Sequence, residues 1–219
     1  ITGGTYSNDL GGLCGNNSGL IGYCSAEVLV SGGEESYNLG GLCGNNYKGT
    51  IDNCYATDSV TGGDNSYNLG GLCGSNYKYS IGGTISNCYA TGSVTGGNGS
   101  YDLGLLCGSN NNGVIINSYF YPLGGPDNHL GEPLDEVELT EEDNFVGFDF
   151  AGDPNDGTED IWTIVPGHCP KLSWQSGDGP LPPSGPLTTL SGSGHFDDPF
   201  QINNLSDFNE FITNKNLTG

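Results

Sequence analysis

The amino-acid sequence predicts an all-β protein, specifically a parallel β-solenoid whose chain winds through similar coils of about 30 residues. Three observations predict this architecture. The triplet Leu-Cys-Gly recurs at nearly constant spacing, β-branched residues, glycine and asparagine dominate the stretches between triplets, and no apolar stripe with the helical period appears. Because so regular a repeat is typical of arrays of one small structural unit, we expect each repeat to form one coil.

The cysteines of the Leu-Cys-Gly triplets define the repeat. They are Cys14, Cys43, Cys73 and Cys107, so successive repeats lie 29, 30 and 34 residues apart. Residues 36–65 and 66–99 match each other best, and the second copy carries four extra residues between Lys78 and Thr84. Since loops tolerate insertions better than strands do, we expect a longer turn at that place.

Short strands are predicted from the alternation of side chains, as residues 50–60 illustrate. Cys54, Ala56 and Val60 fall on one side of an extended chain and form a narrow stripe of small side chains suited to a core, whereas Ile51 falls on the other side. Glycine pairs and asparagine runs between the strands supply the turns. The alternative is a sandwich of meandering strands, but sandwiches do not normally repeat their sequence with a constant period.

Four segments are expected along the chain. The solenoid is expected over residues 1–125, an acidic closing segment over 126–175, a proline- and glycine-rich linker over 176–190, and the opening segment of a further solenoid, or a strand or cap exchanged between subunits, over 191–219. Trp162 and Trp174 of the closing segment are expected to be buried against the last coil.

The charge of the chain excludes several classes of partner. There are 26 acidic residues against four lysines, the net charge is −22, and arginine is absent. Nucleic acid and anionic membrane surfaces are therefore not expected to bind, because their phosphates would find few cations. No stretch approaches the ~18 apolar residues of a membrane-spanning helix, so no membrane insertion is expected.

The best-conserved copies resemble a known repeat. Residues 40–60, GGLCGNNYKGTIDNCYATDSV, and residues 70–94, GGLCGSNYKYSIGGTISNCYATGSV, are similar to the GLUG motif of bacterial surface and secreted proteins. That motif occurs in large adhesin-like polypeptides and beside the catalytic part of IgA-specific metallopeptidases. Residues 142–175 and 191–214 resemble the closing and opening segments of such repeat domains. The resemblance implies an extracellular or cell-surface repeat protein and no enzymatic activity of its own.

The eight cysteines are expected to form disulfides in an oxidising compartment. Equivalent cysteines of adjacent coils would hold their Cβ atoms ~4.8 Å apart, beyond the ~3.5–4.5 Å that a disulfide needs. Pairing across the interior of one coil therefore has the better geometry. Ser118 replaces the second cysteine of the fourth repeat, which leaves Cys107 to pair with the closing segment. The expected bridges are Cys14–Cys24, Cys43–Cys54, Cys73–Cys88 and Cys107–Cys169.

A zinc site or a redox site is the alternative role for these cysteines, but the sequence favours neither. No Cys-x-x-Cys motif is present, and the histidines do not stand at ligand spacing from cysteine pairs. Structural disulfides are therefore the preferred interpretation.

A weak calcium site is predicted in the closing segment. Half of the acidic residues, 13 of 26, lie between Asp127 and Asp160. The candidate ligands are Asp153, Asn155, Asp156, Glu159 and Asp160. The sequence departs from an EF-hand loop in its proline after the first aspartate and its lack of a glutamate at the twelfth position, and a solvated acidic turn is the alternative. No other cofactor is expected.

Catalysis is not expected. Some β-helical proteins are polysaccharide lyases or hydrolases, which need cationic groups or two acids at matched positions. Here arginine is absent, and Asp52 and Asp58 do not recur in the following repeat. No nucleophile elbow, zinc-protease motif or phosphate-binding loop is present.

Two columns of tyrosine are predicted from the repeat. Tyr37, Tyr67 and Tyr101 precede the Leu-Cys-Gly strand, and Tyr55, Tyr89 and Tyr119 follow the second cysteine position. We expect these columns to be packing that supports the coils, and the alternative is that a column on an outer face binds the rings of surface glycans.

The sequence therefore predicts an extracellular structural or adhesive protein of the cell surface that assembles head to tail with copies of itself, or with neighbouring domains of one polypeptide, into a filament. The alternative is a glycan-binding or spacer module of a larger secreted enzyme. The residues expected to mediate assembly are Phe200, Ile202, Leu205, Phe208, Phe211 and Ile212.

Overall fold

The computed structural model describes residues 1–77, 83–153 and 155–183, and the chain up to Pro182 forms one compact unit. The predicted parallel β-solenoid is confirmed. Strands pair in parallel with strands about one repeat away in sequence, and the described residues contain no α-helix. Within those residues, no helix is long and apolar enough to cross a membrane.

In the part of the chain that the structure describes, the solenoid has four coils whose strands stack into five parallel sheets. Coil 1 comprises β1 (Asn8–Gly11), β2 (Cys14–Asn17), β3 (Leu20–Gly22), β4 (Ser25–Ala26) and β5 (Val30–Ser31). Coil 2 comprises β6 (Tyr37–Gly40), β7 (Cys43–Tyr47), β8 (Thr50–Asp52), β9 (Tyr55–Ala56) and β10 (Val60–Gly62). Coil 3 comprises β11 (Tyr67–Gly70), β12 (Cys73–Tyr77), β13 (Thr84–Ser86), β14 (Tyr89–Ala90) and β15 (Val94–Gly96). Coil 4 comprises β16 (Tyr101–Gly104), β17 (Cys107–Asn111), β18 (Val114–Ile116) and β19 (Tyr119–Phe120).

The segment after coil 4 has little regular structure. It contains three 3₁₀ turns and three short strands. These are η1 (Pro122–Gly124), β20 (Glu132–Pro133), η2 (Glu138–Thr140), η3 (Glu142–Asn144), β21 (Trp162–Thr163) and β22 (Lys171–Leu172). β20 pairs in parallel with β19 and so extends the sheet formed by the fourth strand of each coil, while β21 and β22 pair antiparallel.

The coils stack in register, so each interior residue faces the same residue type above and below. Leu39 pairs with Leu69, Ile51 with Ile85 and Val60 with Val94. All six are fully buried. The predicted stripe of Cys54, Ala56 and Val60 is confirmed as core.

Ile51, which falls on the other side of the extended chain from that stripe, also belongs to the core. Asn53 has a positive φ of 50°, so the chain turns between β8 and β9 and the strict alternation of an extended strand is interrupted there. As a result, side chains on both sides of the turn point into the same interior.

A column of asparagine amides holds the coils together at the turn between their second and third strands. Each Nδ2 donates to the Oδ1 of the asparagine in the next coil, over 2.8, 2.9 and 3.0 Å along the column Asn17, Asn46, Asn76 and Asn110. Asn46 and Asn76 are fully buried and also donate to turn carbonyls. The column therefore satisfies buried polar groups while it fixes the stacking register.

Glycine directly before the Leu-Cys-Gly triplet is required in the first three coils by the close approach of the next coil. A Cβ atom on Gly41 would lie 2.1 Å from the carbonyl oxygen of Gly71, and one on Gly71 would lie 2.1 Å from the carbonyl oxygen of Leu105. Backbone oxygens cannot move aside without breaking the sheet, so these three coils keep a residue without a side chain here, whereas coil 4 has Leu105.

The closing segment packs along the side of the solenoid. Trp162 is fully buried, with its ring centroid 6.2 Å from that of Tyr55 and 6.0 Å from that of Tyr89, and its Nε1 donates to Asn53 Oδ1 over 3.0 Å. The expected burial of Trp162 is confirmed, but it lies against coils 2 and 3 and not against the last coil. The expectation for Trp174 is wrong, because this side chain is 66% exposed.

Candidate functional site

The expected disulfides are not formed, and all eight cysteines are free thiols in this structure. The reason lies in the register. Each triplet cysteine stands opposite its equivalent in the neighbouring coil, in the column Cys14, Cys43, Cys73 and Cys107. The second cysteines form another column, Cys24, Cys54 and Cys88, and the backbone N–H of Cys24 lies 3.4 Å from Cys54 Sγ. Cysteines therefore face their equivalents in other coils, contrary to the expected pairing within a coil.

The fourth expected bridge, Cys107–Cys169, is also absent, because the two thiols lie in different cores. Cys107 belongs to the apolar interior of the solenoid, whereas Cys169 belongs to the aromatic layer outside it. Burial raises the pKa of Cys169 to about 12.

The thiols act as hydrogen-bond donors to nearby turns. Cys43 Sγ lies 3.4 Å from the carbonyl oxygen of Asn45, and Cys54 Sγ lies 3.2 Å from that of Asp52. The same contact recurs at the other cysteines of each column. In coil 4, Ser118 Oγ takes over this role by donating to Ile116 over 2.8 Å and accepting from the backbone N–H of Cys88 over 3.2 Å. Contact with the Cys73 thiol, followed by burial, raises the pKa of Cys43, so the thiol stays protonated.

The two ends of the solenoid differ in how much of the core they expose. Leu13 of coil 1 is 52% exposed, whereas its equivalents in the following coils, Leu42, Leu72 and Leu106, are fully buried. Several other apolar side chains of the first coil are also exposed by about half or more, namely Ile1, Tyr6, Leu20, Tyr23 and Leu29. Together with the free edges of β1 to β4, they form a surface that we call the open end.

The opposite end is partly covered by the chain itself. Asn128 Nδ2 donates to the carbonyl oxygens of Cys107 and Gly108, each over 2.9 Å. Leu130 packs against the interior, and the backbone at Gly131 approaches the Leu106 side chain closely. Unpaired strand edges can pair with further strands, and within the described residues they are covered at the coil 4 end and uncovered at coil 1.

The inner tyrosine column is not a ligand surface. Tyr55, Tyr89 and Tyr119 are each at most 5% exposed, because the closing segment covers them. Tyr119, for instance, packs edge-on against Phe145 with 5.3 Å between ring centroids. The preferred interpretation, packing that supports the coils, is therefore correct for this column, and the alternative of a glycan at the Tyr55–Tyr89 face is wrong.

The outer tyrosine column lies on the surface. The rings of Tyr37 and Tyr67 stack with centroids 5.1 Å apart and planes within 4°, and those of Tyr67 and Tyr101 stack at 5.1 Å and 3°. Within this column, both faces of the Tyr67 ring are therefore covered by the rings of Tyr37 and Tyr101. Tyr101 stands at the end of the column and is 54% exposed, so its outer ring face is open to a ligand.

The predicted calcium ligands are distributed differently from the expectation. Asp160 Oδ1 accepts from the backbone N–H of Gly152, and Asp153 Oδ1 accepts from Asn155. The side chains that do converge are those of Glu142, Asp153 and Asp156, with one carboxylate oxygen of each within 4.8 Å of the others. Glu142 was not predicted, because it is distant in sequence and carries no loop signature. Burial and then the two aspartates raise its pKa.

The residues expected to mediate assembly, between Phe200 and Ile212, lie outside the described residues, as does Lys78. The structure therefore leaves the head-to-tail contact as a prediction.

Comparison with known proteins identifies a repeat motif in part of the solenoid. The family defined by the GLUG motif matches residues 35–61 and 65–95. Two coils of this chain carry the GLUG motif. They are coils 2 and 3, whose apolar side chains are the most completely buried, while coils 1 and 4 fall outside the matched residues. Searches of the curated proteins and of the solved structures found no significant match.

Proposed function

We propose that this GLUG-containing solenoid is a structural module of an extracellular, adhesive cell-surface polypeptide, and that it is extended through its open end. The observation that carries this proposal is the exposure of Leu13 at a position where every other coil buries leucine. An exposed core residue beside free strand edges supports stacking of a further strand or coil.

A structural role agrees with the contacts of the repeated polar side chains, which bind one another between coils. The amide column of Asn46 and Asn76 is buried and satisfied within the solenoid. A second column, from Asp9 through Asn38 to Asn68, joins the coils through amide hydrogen bonds of 2.8 Å. Repeated polar groups that bind each other serve the stacking of coils, so we propose that the module is not an enzyme.

The assembly we propose is head to tail, with the segment 191–219 of one copy adding to the open end of the next. Direct stacking of the last coil of one copy on the first coil of another would require residues 122–134 to leave the covered end. Addition of a segment that follows this covering in sequence would leave residues 122–134 in place. The strand expected from Phe200 to Ile202 suits strand addition, and the helical spacing of Leu205, Phe208, Phe211 and Ile212 suits a cap. A contact of two different surfaces propagates into a filament.

The test is sedimentation velocity and electron microscopy of three variants beside the full chain. Leu13→Asp and deletion of residues 191–219 are each expected to abolish concentration-dependent assembly. The matched control is Leu123→Asp, which changes a leucine that is 64% exposed at the covered end and is expected to assemble normally. A full chain that stays monomeric at every concentration, or truncated chains that still form filaments, would refute the proposal.

The alternative, a glycan-binding or spacer module of a larger secreted enzyme, has one observation in its favour. The outer face of the Tyr101 ring is free to stack on a sugar. Glycan-array binding that is lost in Tyr101→Ala and kept in Tyr6→Ala, whose side chain is 65% exposed but stands outside the column, would support this alternative. Equal binding by both variants would exclude the Tyr101 face.

A further inference from the structure

Two columns of thiols run through the interior of the solenoid. In the first column, Cys14 pairs in register with Cys43, and in the second, Cys24 precedes β4 as Cys54 precedes β9. The sulfur of each cysteine makes the same contact with a carbonyl oxygen of its own turn, so neighbouring side chains have equivalent orientations. Successive sulfurs are therefore separated by about the spacing of parallel strands, ~4.8 Å.

That separation suits a metal ion placed midway between two sulfurs. A metal–thiolate bond of ~2.3 Å, as for zinc, makes a straight S–metal–S unit span ~4.6 Å. Soft d¹⁰ cations such as Cu(I), Ag(I) and Hg(II) form such linear two-coordinate dithiolates, and thiolate is the ligand that they prefer. We propose that the open end binds soft d¹⁰ cations in two linear sites, Cys14/Cys43 and Cys24/Cys54.

The exposure of the thiols determines where an ion can enter. Cys14 and Cys24 are partly exposed at the open end, whereas Cys43, Cys54, Cys73, Cys88 and Cys107 are fully buried. Each site therefore joins one accessible sulfur to one buried sulfur, and uptake begins at coil 1.

Binding exchanges protons for the metal without any oxidation. Each of the two S–H bonds of a site breaks, two S–metal bonds form, and both protons leave to the solvent. With Hg(II) the product is a neutral bis-thiolate, whereas Ag(I) or Cu(I) leaves one negative charge on the complex. Because the sites adjoin an apolar interior, where a charge without a partner is costly, Hg(II) is expected to bind more tightly than Ag(I).

Coil 4 has a serine, Ser118, where the other coils have the second cysteine, and this natural replacement shows how to remove metal binding while keeping the turn. Ser118 makes the hydrogen bonds that the cysteines of its column make, so serine preserves the turn. A hydroxyl is a poor ligand for soft cations. Serine variants of the column cysteines are therefore expected to fold and to lose only the metal.

The experiment is native mass spectrometry of the reduced full chain titrated with HgCl₂, with Ag(I) in a parallel titration. We expect two mercury ions to bind first, each replacing two hydrogens and keeping no chloride. Cys54→Ser is expected to retain the Cys14/Cys43 ion and to bind the second ion at least about a hundredfold more weakly, as a chloride-bearing monothiolate on Cys24. X-ray absorption should show two sulfur neighbours per mercury in the unmodified chain.

The matched control is Cys169→Ser, which removes a buried thiol outside both columns and is expected to leave binding of both ions unchanged. Circular dichroism of each variant checks that it is folded. The proposal is overturned if mercury binds the unmodified chain as one chloride-bearing ion per thiol, if Cys54→Ser binds both ions as before, or if Cys169→Ser loses one.

Discussion

Removal of one amide from the buried asparagine column is expected to destabilise the solenoid strongly. In Asn46→Ala, the column loses the hydrogen bond from Asn17 over 2.8 Å, the bond to Asn76 over 2.9 Å and the bond to the carbonyl oxygen of Gly49 over 3.1 Å. Net contributions of about 1 kcal/mol for each bond, with further cost for acceptors left buried without this donor, give a loss of about 3–5 kcal/mol in the free energy of unfolding.

Two asparagines of the same chain calibrate this value. Asn16→Ala removes an exposed side chain with one hydrogen bond, to Asp9 Oδ2 over 3.0 Å, and is expected to cost less than about 1 kcal/mol. Asn110→Ala removes the partly buried end of the column, with bonds to Asn76 and Gly113, and is expected to cost about 1–3 kcal/mol.

The assay is equilibrium unfolding in urea, followed by circular dichroism and by tryptophan fluorescence. The order of destabilisation should be Asn46→Ala, then Asn110→Ala, then Asn16→Ala. If Asn46→Ala costs no more than Asn16→Ala, the amide column does not hold the coils together and the reasoning is wrong. Should Asn46→Ala fail to fold, the comparison of Asn110→Ala with Asn16→Ala still decides the point.

Three further predictions concern the core, the closing segment and pH. Ile51→Ala should lower the free energy of unfolding by about 2–5 kcal/mol, since the residue is fully buried, whereas Leu20→Ala, at a side chain 70% exposed, should change it by less than about 0.5 kcal/mol. Trp162→Phe should cost about 1–3 kcal/mol because Asn53 Oδ1 loses its donor, and it should leave a fluorescence spectrum typical of the exposed Trp174. Contact with Cys73 and burial raise the pKa of Cys43, and burial raises the pKa of Tyr89, so the neutral forms stabilise the fold. That stabilisation is complete below the unfolded pKa values, about 8.5 for cysteine and about 10 for tyrosine. The urea midpoint should therefore fall as the pH rises above about 9, and a midpoint that increases over this range would contradict the prediction.

The repeat predicted the fold because in-register stacking gives each position of a coil the same environment as its equivalents. Leu39 and Leu69 are identical because each is the other's neighbour. The same reasoning could not decide how the cysteines pair. It assumed that two cysteines on one interior face each other across a coil, whereas the turn at Asn53 places Cys54 beside its equivalents in the second column.

The covering of the inner tyrosine column could not be predicted either. It depends on contacts between residues far apart in sequence, such as the hydrogen bond from Trp162 to Asn53. The closing segment has no repeat that would place it on a particular sheet. A column of repeated tyrosines has the same sequence pattern whether its side chains are covered, like Tyr89, or exposed, like Tyr101. The proposed extracellular location depends on the resemblance of coils 2 and 3 to GLUG repeats.

The central claim is that the coils stack in register, with columns of free thiols and an open first coil. Thiol labelling followed by peptide mapping tests this claim most directly. Native protein treated with iodoacetamide, without reductant, is expected to be alkylated rapidly at Cys14 and Cys24, which are partly exposed, and slowly at the six buried cysteines. After unfolding, again without reductant, all eight should react. Peptides joined as Cys14–Cys24 or Cys43–Cys54, or labelling of Cys43 and Cys54 as fast as that of Cys14, would contradict it.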